Sequence, residues 1–182
     1  MRIGLIGAGR IGSFHATALR RNPQVASLTV ADTDVARATD LAERLGARVA
    51  PSVAEVFGED LDAVVITAAT SAHADLIRRA ARAGLPVFCE KPVALDLPGT
   101  LAALKAVEEA GTVLQLGFQR RFDAGYLAAR QAVREQRLGR LHTVRAMTSD
   151  PAPPPAAYLP LSGGLYRDCL VHDFNMLRWV TG

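Results

Sequence analysis

The chain has 182 residues, 49% of them hydrophobic and 21% charged, with 21 Lys and Arg against 18 Asp and Glu. That length supports one solid core and is a little long for a single domain, and the composition excludes a disordered chain. A net charge of +3 with no run of five basic residues argues against a nucleic-acid partner, and no stretch approaches the roughly 20 apolar residues that span a bilayer.

Arginine supplies nearly all of the positive charge, because Lys91 and Lys105 are the only lysines. A lysine in a pocket therefore stands out, since it can release its proton and arginine in practice cannot. Cys89 and Cys169 are far apart and lack metal-ligand spacing, so they read as free thiols of a reducing cytosol. "MRIGLIGAG" turns to glycines too soon for a signal peptide. A cytoplasmic protein without a membrane partner is expected.

Apolar, β-branched runs alternate with helical patterns along the first two thirds of the chain. Strands are expected at Arg2–Ile6, Leu28–Ala31, Arg48–Ala50, Ala63–Thr67, Pro86–Cys89 and Val113–Gly117. Helices are expected at Ile11–Arg21, Val35–Leu45, Ala72–Ala83 and Pro98–Ala110. "AVVIT" is a continuous apolar run, as a buried parallel strand should be. Strand–helix alternation at this spacing implies right-handed βαβ units and an α/β fold with a doubly wound parallel sheet.

After Gly117 the rhythm changes, which places a domain boundary near residue 118. Ala124–Gln136 reads as an amphipathic helix, and Leu141–Thr148 alternates like a strand with one wet face. "DPAPPPAAYLP" reads as a stiff extended loop, because its prolines lack N–H donors. The closing "GGLYRDCLVHDFNMLRWVTG" reads as one helix.

"GLIGAGRIG" sets Gly7, Gly9 and Gly12 in the spacing G-x-G-x-x-G, after a strand and at the start of a helix. The pattern permits a tight turn, close approach of backbone to a pyrophosphate and close helix–strand packing. The helix N-terminus offers free N–H groups and a partial positive charge to the phosphates, with Arg10 and Ile11 on the same turn. Asp32 ends the second strand, where a carboxylate meets ribose hydroxyls and repels a 2′-phosphate. That favours NAD over NADP, with Thr33 beside it, although Arg37 lies within reach of a phosphate and leaves NADP possible. Alternatively, Asp32 caps the next helix. Ligands of such sheets bind beyond the carboxyl ends of the strands, which makes Thr67, Ala68, Glu90 and Lys91 candidates for cofactor contact. His73 follows at a helix start and reads either as a packing or capping group or as part of the cofactor site.

"GLIGAGRIGSFHA", "ADTD", "TSAHADLI", "CEKPVALD" and "GFQRRFDAGY" together resemble the Gfo/Idh/MocA family of NAD(P)-dependent oxidoreductases, in its inositol-oxidising branch. The resemblance runs the length of the chain. It implies a Rossmann domain (residues 1–118) and a substrate domain, here a partial α+β one (119–182), since members are usually much longer. It also implies homo-oligomers in the family and a small polyol or sugar as substrate. Lys91 matches the family's active-site lysine, and Asp168 and His172 match its Asp-x-x-x-His pair. Gln119, Arg120 and Asp150 fall where inositol-type members approach nicotinamide or polyol, and Pro92 matches a position often preceded by a cis bond.

Oxidising a secondary hydroxyl requires a hydride acceptor and a base. The expected roles are NAD as acceptor, His172 as base, Asp168 as its orienter and Lys91 as hydrogen-bonding partner of the forming alkoxide. Four residues apart on one helix, Asp168 and His172 would share a face. Such a pair alone also suits an ordinary helix surface or, with further ligands, a metal; no metal is expected here. A dinucleotide-binding chain without turnover is the alternative function.

Overall fold

The computed structural model describes residues 1–58 and 60–182. It divides into two compact units, Met1–Gly117 and Phe118–Gly182.

In the first unit the described residues form a six-stranded parallel sheet. Its strands are β1 (Arg2–Ile6), β2 (Ser27–Ala31), β3 (Arg48–Val49), β4 (Ala63–Ile66), β5 (Val87–Cys89) and β6 (Leu114–Leu116), in the order β3-β2-β1-β4-β5-β6. The helices between them are α1 (Arg10–Arg21), α2 (Val35–Leu45), α3 (Thr70–Arg82) and α4 (Leu97–Ala110). The short runs rich in Val, Ile and Leu become strands because both faces of the sheet are buried, and side chains alternate between them. Ile3 and Leu5 of β1 join Leu28, Val30, Ala16, Ala38 and Leu41 on the face covered by α1 and α2. Ile6 joins Val64, Ile66, Leu76, Ile77 and Ala103 on the face covered by α3 and α4. Leu5, Ile66 and Ile77 are fully enclosed, and burial of such a side chain is worth about 1.5–3 kcal/mol.

β1 lies between β2 and β4, in register Leu5 to Val30 on one side and Leu5 to Val65 on the other. The order reverses there, so the crevice outside the carboxyl ends of β1 and β4 is the topological switch point of the sheet. Helix ends are defined by side chains. Asp34 and Asp96 cap α2 and α4 by accepting from Arg37 N and Gly99 N, and Gly46 and Gly111 close the same helices in left-handed conformation. No side-chain hydrogen bond caps α1 or α3, the two helices that follow β1 and β4.

The second unit holds α5 (Ala124–Arg134), α6 (Leu165–Asp168) and α7 (Leu170–Thr181). Asp123 caps α5 through Gly125 N and Tyr126 N. α5 packs on α7, and the Arg130 guanidinium lies 4.3 Å from the Trp179 ring centre.

Three expectations are corrected in this unit. Residues 141–148 join no ladder among the described residues, and from 142 onward they are exposed. An alternating pattern prepares two faces, but a strand also requires a neighbour to hydrogen-bond. This segment instead lines, with Tyr126 and Val133 of α5 and Met176 and Val180 of α7, an apolar cavity of about 430 Å³. The proline-rich segment is not extended throughout, because Ala156–Leu161 forms a 3₁₀ turn with Pro160 inside it. A turn this short needs few N–H donors, and Tyr158 N to Pro155 O (2.9 Å) and Ser162 N to Leu159 O (3.3 Å) supply its bonds. The closing helix is broken at Cys169, between α6 and α7. Beyond the break His172 N meets Cys169 O at 3.2 Å, a three-residue step. Asp168 thus ends one helix and His172 stands in the first turn of the next.

Candidate functional site

At the switch point the glycine turn is shaped by contacts to β4. Gly7 has φ +104°, and a Cβ there would lie 2.5 Å from Ala68 N. A Cβ on Gly12 would lie 1.8 Å from Gly7 O, so only glycine lets α1 start this close to the turn. Gly9 differs, since a Cβ on it would meet nothing within 4 Å. The first helical bond of α1 is Ser13 N to Gly9 O (2.8 Å), which leaves the amides of Arg10, Ile11 and Gly12 without intrahelical acceptors. Open space at Gly9 and an uncapped N-terminus suit a pyrophosphate.

Asp32 is 9% exposed and is already committed to the turn. Its Oδ2 accepts from Ala8 N at 2.6 Å, and its Oδ1 accepts from Asp34 N at 2.9 Å and from the Thr33 hydroxyl at 3.3 Å. The helix cap is Asp34 and not Asp32, which frees Asp32 from that alternative role. Arg37 ion-pairs with Asp34 at 3.1 Å and stands 3.8 Å from Asp32 Oδ2.

Thr67 is buried, and its hydroxyl donates to Gly7 O at 2.7 Å, so it supports the turn from β4. His73 is 1% exposed, with Nδ1 2.7 Å from Pro92 O and Nε2 3.0 Å from Ala68 O. The ring bridges the segments that follow β4 and β5, in keeping with the packing reading of this residue. The Lys91–Pro92 bond is cis.

Glu90 carries the strongest electrostatic feature at the end of β5. His15 Nε2 of α1 lies 2.7 Å from Glu90 Oε1, with the two side chains 24% and 22% exposed. Burial raises the Glu90 carboxyl. The His15 hydrogen bond and charge, together with the Lys91 amide and charge, outweigh this and hold it below the ordinary carboxylate value. Burial and the Glu90 charge push the neighbouring Cys89 thiol far up, so it stays protonated.

In the second unit His172 is 9% exposed and its ring stands edge-on to Phe118, centres 6.3 Å apart. Arg120 pairs with Asp173 at 3.1 Å and donates to Thr148 at 3.0 Å, and Thr148 donates to Asp173 at 2.7 Å. Arg121 donates to Asn175 at 2.9 Å. Gln119 and Asp150 are exposed. Among the described residues no group of three His, Cys, Asp or Glu is placed to hold a metal ion.

Sequence reasoning missed His15, Asp173, Thr148 and Asn175 as members of these networks. His15 sits three residues beyond Gly12, inside α1, and that spacing was the available signal. Asp173 adjoins His172, and Arg120 and Arg121 precede α5. Their pairing across more than fifty residues leaves no local pattern.

A doubly wound sheet with this strand order, and an open glycine turn tied to the acidic residue after β2, defines a dinucleotide-binding domain of Rossmann type. The family model described as the NAD-binding Rossmann fold of an oxidoreductase family matches residues 1–118, and the GFO/IDH/MocA C-terminal domain model matches residues 126–182. The chain belongs to the Gfo/Idh/MocA family of oxidoreductases.

It is 43% identical over its full length to inositol 2-dehydrogenase of Rhizobium meliloti, covering 55% of that protein. It is 36% identical, again over its full length, to myo-inositol 2-dehydrogenase of Thermotoga maritima, covering 55% of it. Among solved structures, scyllo-inositol dehydrogenase of Lactobacillus casei with bound NAD(H) and scyllo-inositol matches with a TM-score of 0.89 at 30% identity. That match covers 100% of this chain and 56% of the other. The chain spans about half the length of the curated relatives it matches.

Proposed function

We propose that the protein works as an NAD-dependent dehydrogenase that oxidises a secondary hydroxyl of a cyclic polyol, with myo-inositol as the leading substrate. The observation that carries the reading is the cradle at the switch point. Asp32 is fixed to the glycine turn through Ala8 N at 2.6 Å, beside an α1 N-terminus that no side chain caps. The relatives named above supply the substrate class, and their names concern inositols.

In this reading Gly7, Gly9, Arg10, Ile11 and Gly12 receive the pyrophosphate, and Asp32 and Thr33 the adenosine ribose. Thr67, Ala68, His73 and Glu90 shape the nicotinamide end. A bound NAD supplies the hydride acceptor. His172 takes the hydroxyl proton, its imidazole being suited to proton transfer near neutral pH. Asp168 orients that ring, Lys91 donates a hydrogen bond to the forming alkoxide, Gln119 approaches the nicotinamide, and Arg120 and Asp150 contribute to polyol recognition. The structure shows Arg120 held by Asp173 and Thr148, so its part in recognition is to present a fixed guanidinium. A cytoplasmic location belongs to the same proposal.

The test is NADH formation by the purified chain with NAD and myo-inositol, followed by near-ultraviolet absorbance. His172→Ala is expected to lower kcat by about 10²–10⁴-fold while NAD still binds. Lys91→Ala is expected to fall into the same class. NAD binding without NADH formation by the unaltered chain would overturn the dehydrogenase reading and leave a dinucleotide-binding protein.

A further inference from the structure

The lysine-bearing turn is fastened from both sides, by two histidines on different helices. Before Lys91, the Glu90 carboxylate meets His15 Nε2 at 2.7 Å. After it, the Pro92 carbonyl meets His73 Nδ1 at 2.7 Å. Glu90 is further confined by Gly117, where a Cβ would stand 3.0 Å from both carboxylate oxygens. The His15 ring is confined in turn by Phe88, centres 5.1 Å apart, and by the edge of Phe14 at 5.9 Å. Among the described residues the charged or titratable groups that act with Glu90 are His15 from α1, and Lys91 and the protonated Cys89 thiol from its own segment.

His73 reaches only backbone carbonyls on its two sides, so it ties loop to loop. His15 differs, because it sits on the helix whose uncapped N-terminus faces the pyrophosphate position, one turn further along. A displacement of α1 is carried through a half-buried charged hydrogen bond to the residue adjoining Lys91, and such bonds are short and about twice as strong as neutral ones.

We propose that His15 is the positioning residue for Lys91, acting through Glu90 to lock the lysine-bearing turn to the helix that receives the dinucleotide. The inference rests on the dehydrogenase reading for the use of Lys91, but not for the link itself. His15 makes no contact with a reacting atom in this scheme. It fixes where the ammonium stands.

Two lysines in 182 residues give a direct probe. The full chain, labelled with ¹³C-lysine, should show two Cε–Hε cross-peaks by NMR, assigned with Lys105→Arg. Lys105 is exposed on α4 and reports whether the fold is intact. A glutamine amide nitrogen reaches about as far as His Nε2, whereas that of asparagine stops near the position of Nδ1. His15→Ala and His15→Asn are therefore expected to move and broaden the Lys91 peak, with Lys105 unchanged, and His15→Gln is expected to restore the original position.

An unmoved Lys91 peak in the variants, or an equal displacement in all of them, would overturn the proposal. If His15→Ala fails to fold, the Asn and Gln pair decides the question by the same criterion. The readout needs no turnover, so its failure is separable from failure of the dehydrogenase reading. Where turnover is present, His15→Ala is expected to lower kcat more than it raises the KM for polyol, with partial rescue in His15→Gln.

Discussion

Asp62 shows how one residue ties the start of the sheet to its fourth strand. Its carboxylate accepts from Arg2 N at 2.6 Å and from Arg2 Nη2 at 2.8 Å, just before β4 begins beside β1. Those hydrogen bonds, first the side-chain one and then the backbone one, lower its pKa from 3.8 to about 2. A depressed carboxyl binds protons more readily in the unfolded chain, so its contribution to stability is full above about pH 4 and is lost as pH falls toward 2. Asp62→Asn is accordingly expected to melt below the unaltered protein at pH 7, with the gap closing as the melts are repeated down to pH 2. A gap independent of pH would contradict the assignment. At this same scale the geometry of the candidate cofactor turn was legible in the sequence. Glycine spacing and an acidic strand end are local signals, and the structure joins them through one 2.6 Å bond from Ala8 to Asp32. The link between His15 and Glu90 was not legible: each lies in a recognisable stretch, but the two stand 75 positions apart and nothing local pairs them.

At the scale of elements, α1 is held to the turn before it by the absence of side chains at two positions that behave differently. Gly12→Ala brings a methyl to 1.8 Å from Gly7 O, so the helix start must move. A destabilisation of about 1–3 kcal/mol is expected in thermal melts, with loss of NAD binding. Gly9→Ala meets nothing in the chain and is expected to keep the melting temperature while weakening NAD in a titration. Equal melting temperatures for the two variants would refute this account of the turn. Helices of the first unit were read to within two residues, because apolar spacing marks all four and Asp and Gly caps also bound α2 and α4. The second unit resisted in three places for one reason. Whether 141–148 pairs, whether 156–161 coils and whether the last helix runs unbroken through Cys169 depend on neighbours and on local turns that hydrophobic spacing does not encode.

For the whole molecule, the sheet order and the cofactor site are a single fact, since the ligand crevice exists only because β1 is flanked by β2 and β4. Binding to that crevice favours the folded chain. NAD at a hundred times its Kd is expected to add about 2.7 kcal/mol of stability, read as a higher melting temperature. NADP is expected to add less, because its 2′-phosphate meets Asp32, and Asp32→Ala is expected to narrow the difference. Equal shifts from the two dinucleotides in the unaltered protein would count against that role for Asp32.

The central position of β1 also bears on how the chain is made. Ile3 pairs with Ala63, sixty residues later, so at ribosomal speeds of about 5–20 residues per second the strand waits roughly 3–12 s for its second neighbour. During that interval β2 can cover one edge while the other edge, with Leu5 and Ile6 beside it, stays open to solvent or to a chaperone. The strand that founds the cofactor crevice is therefore also the one most exposed to mispairing during synthesis.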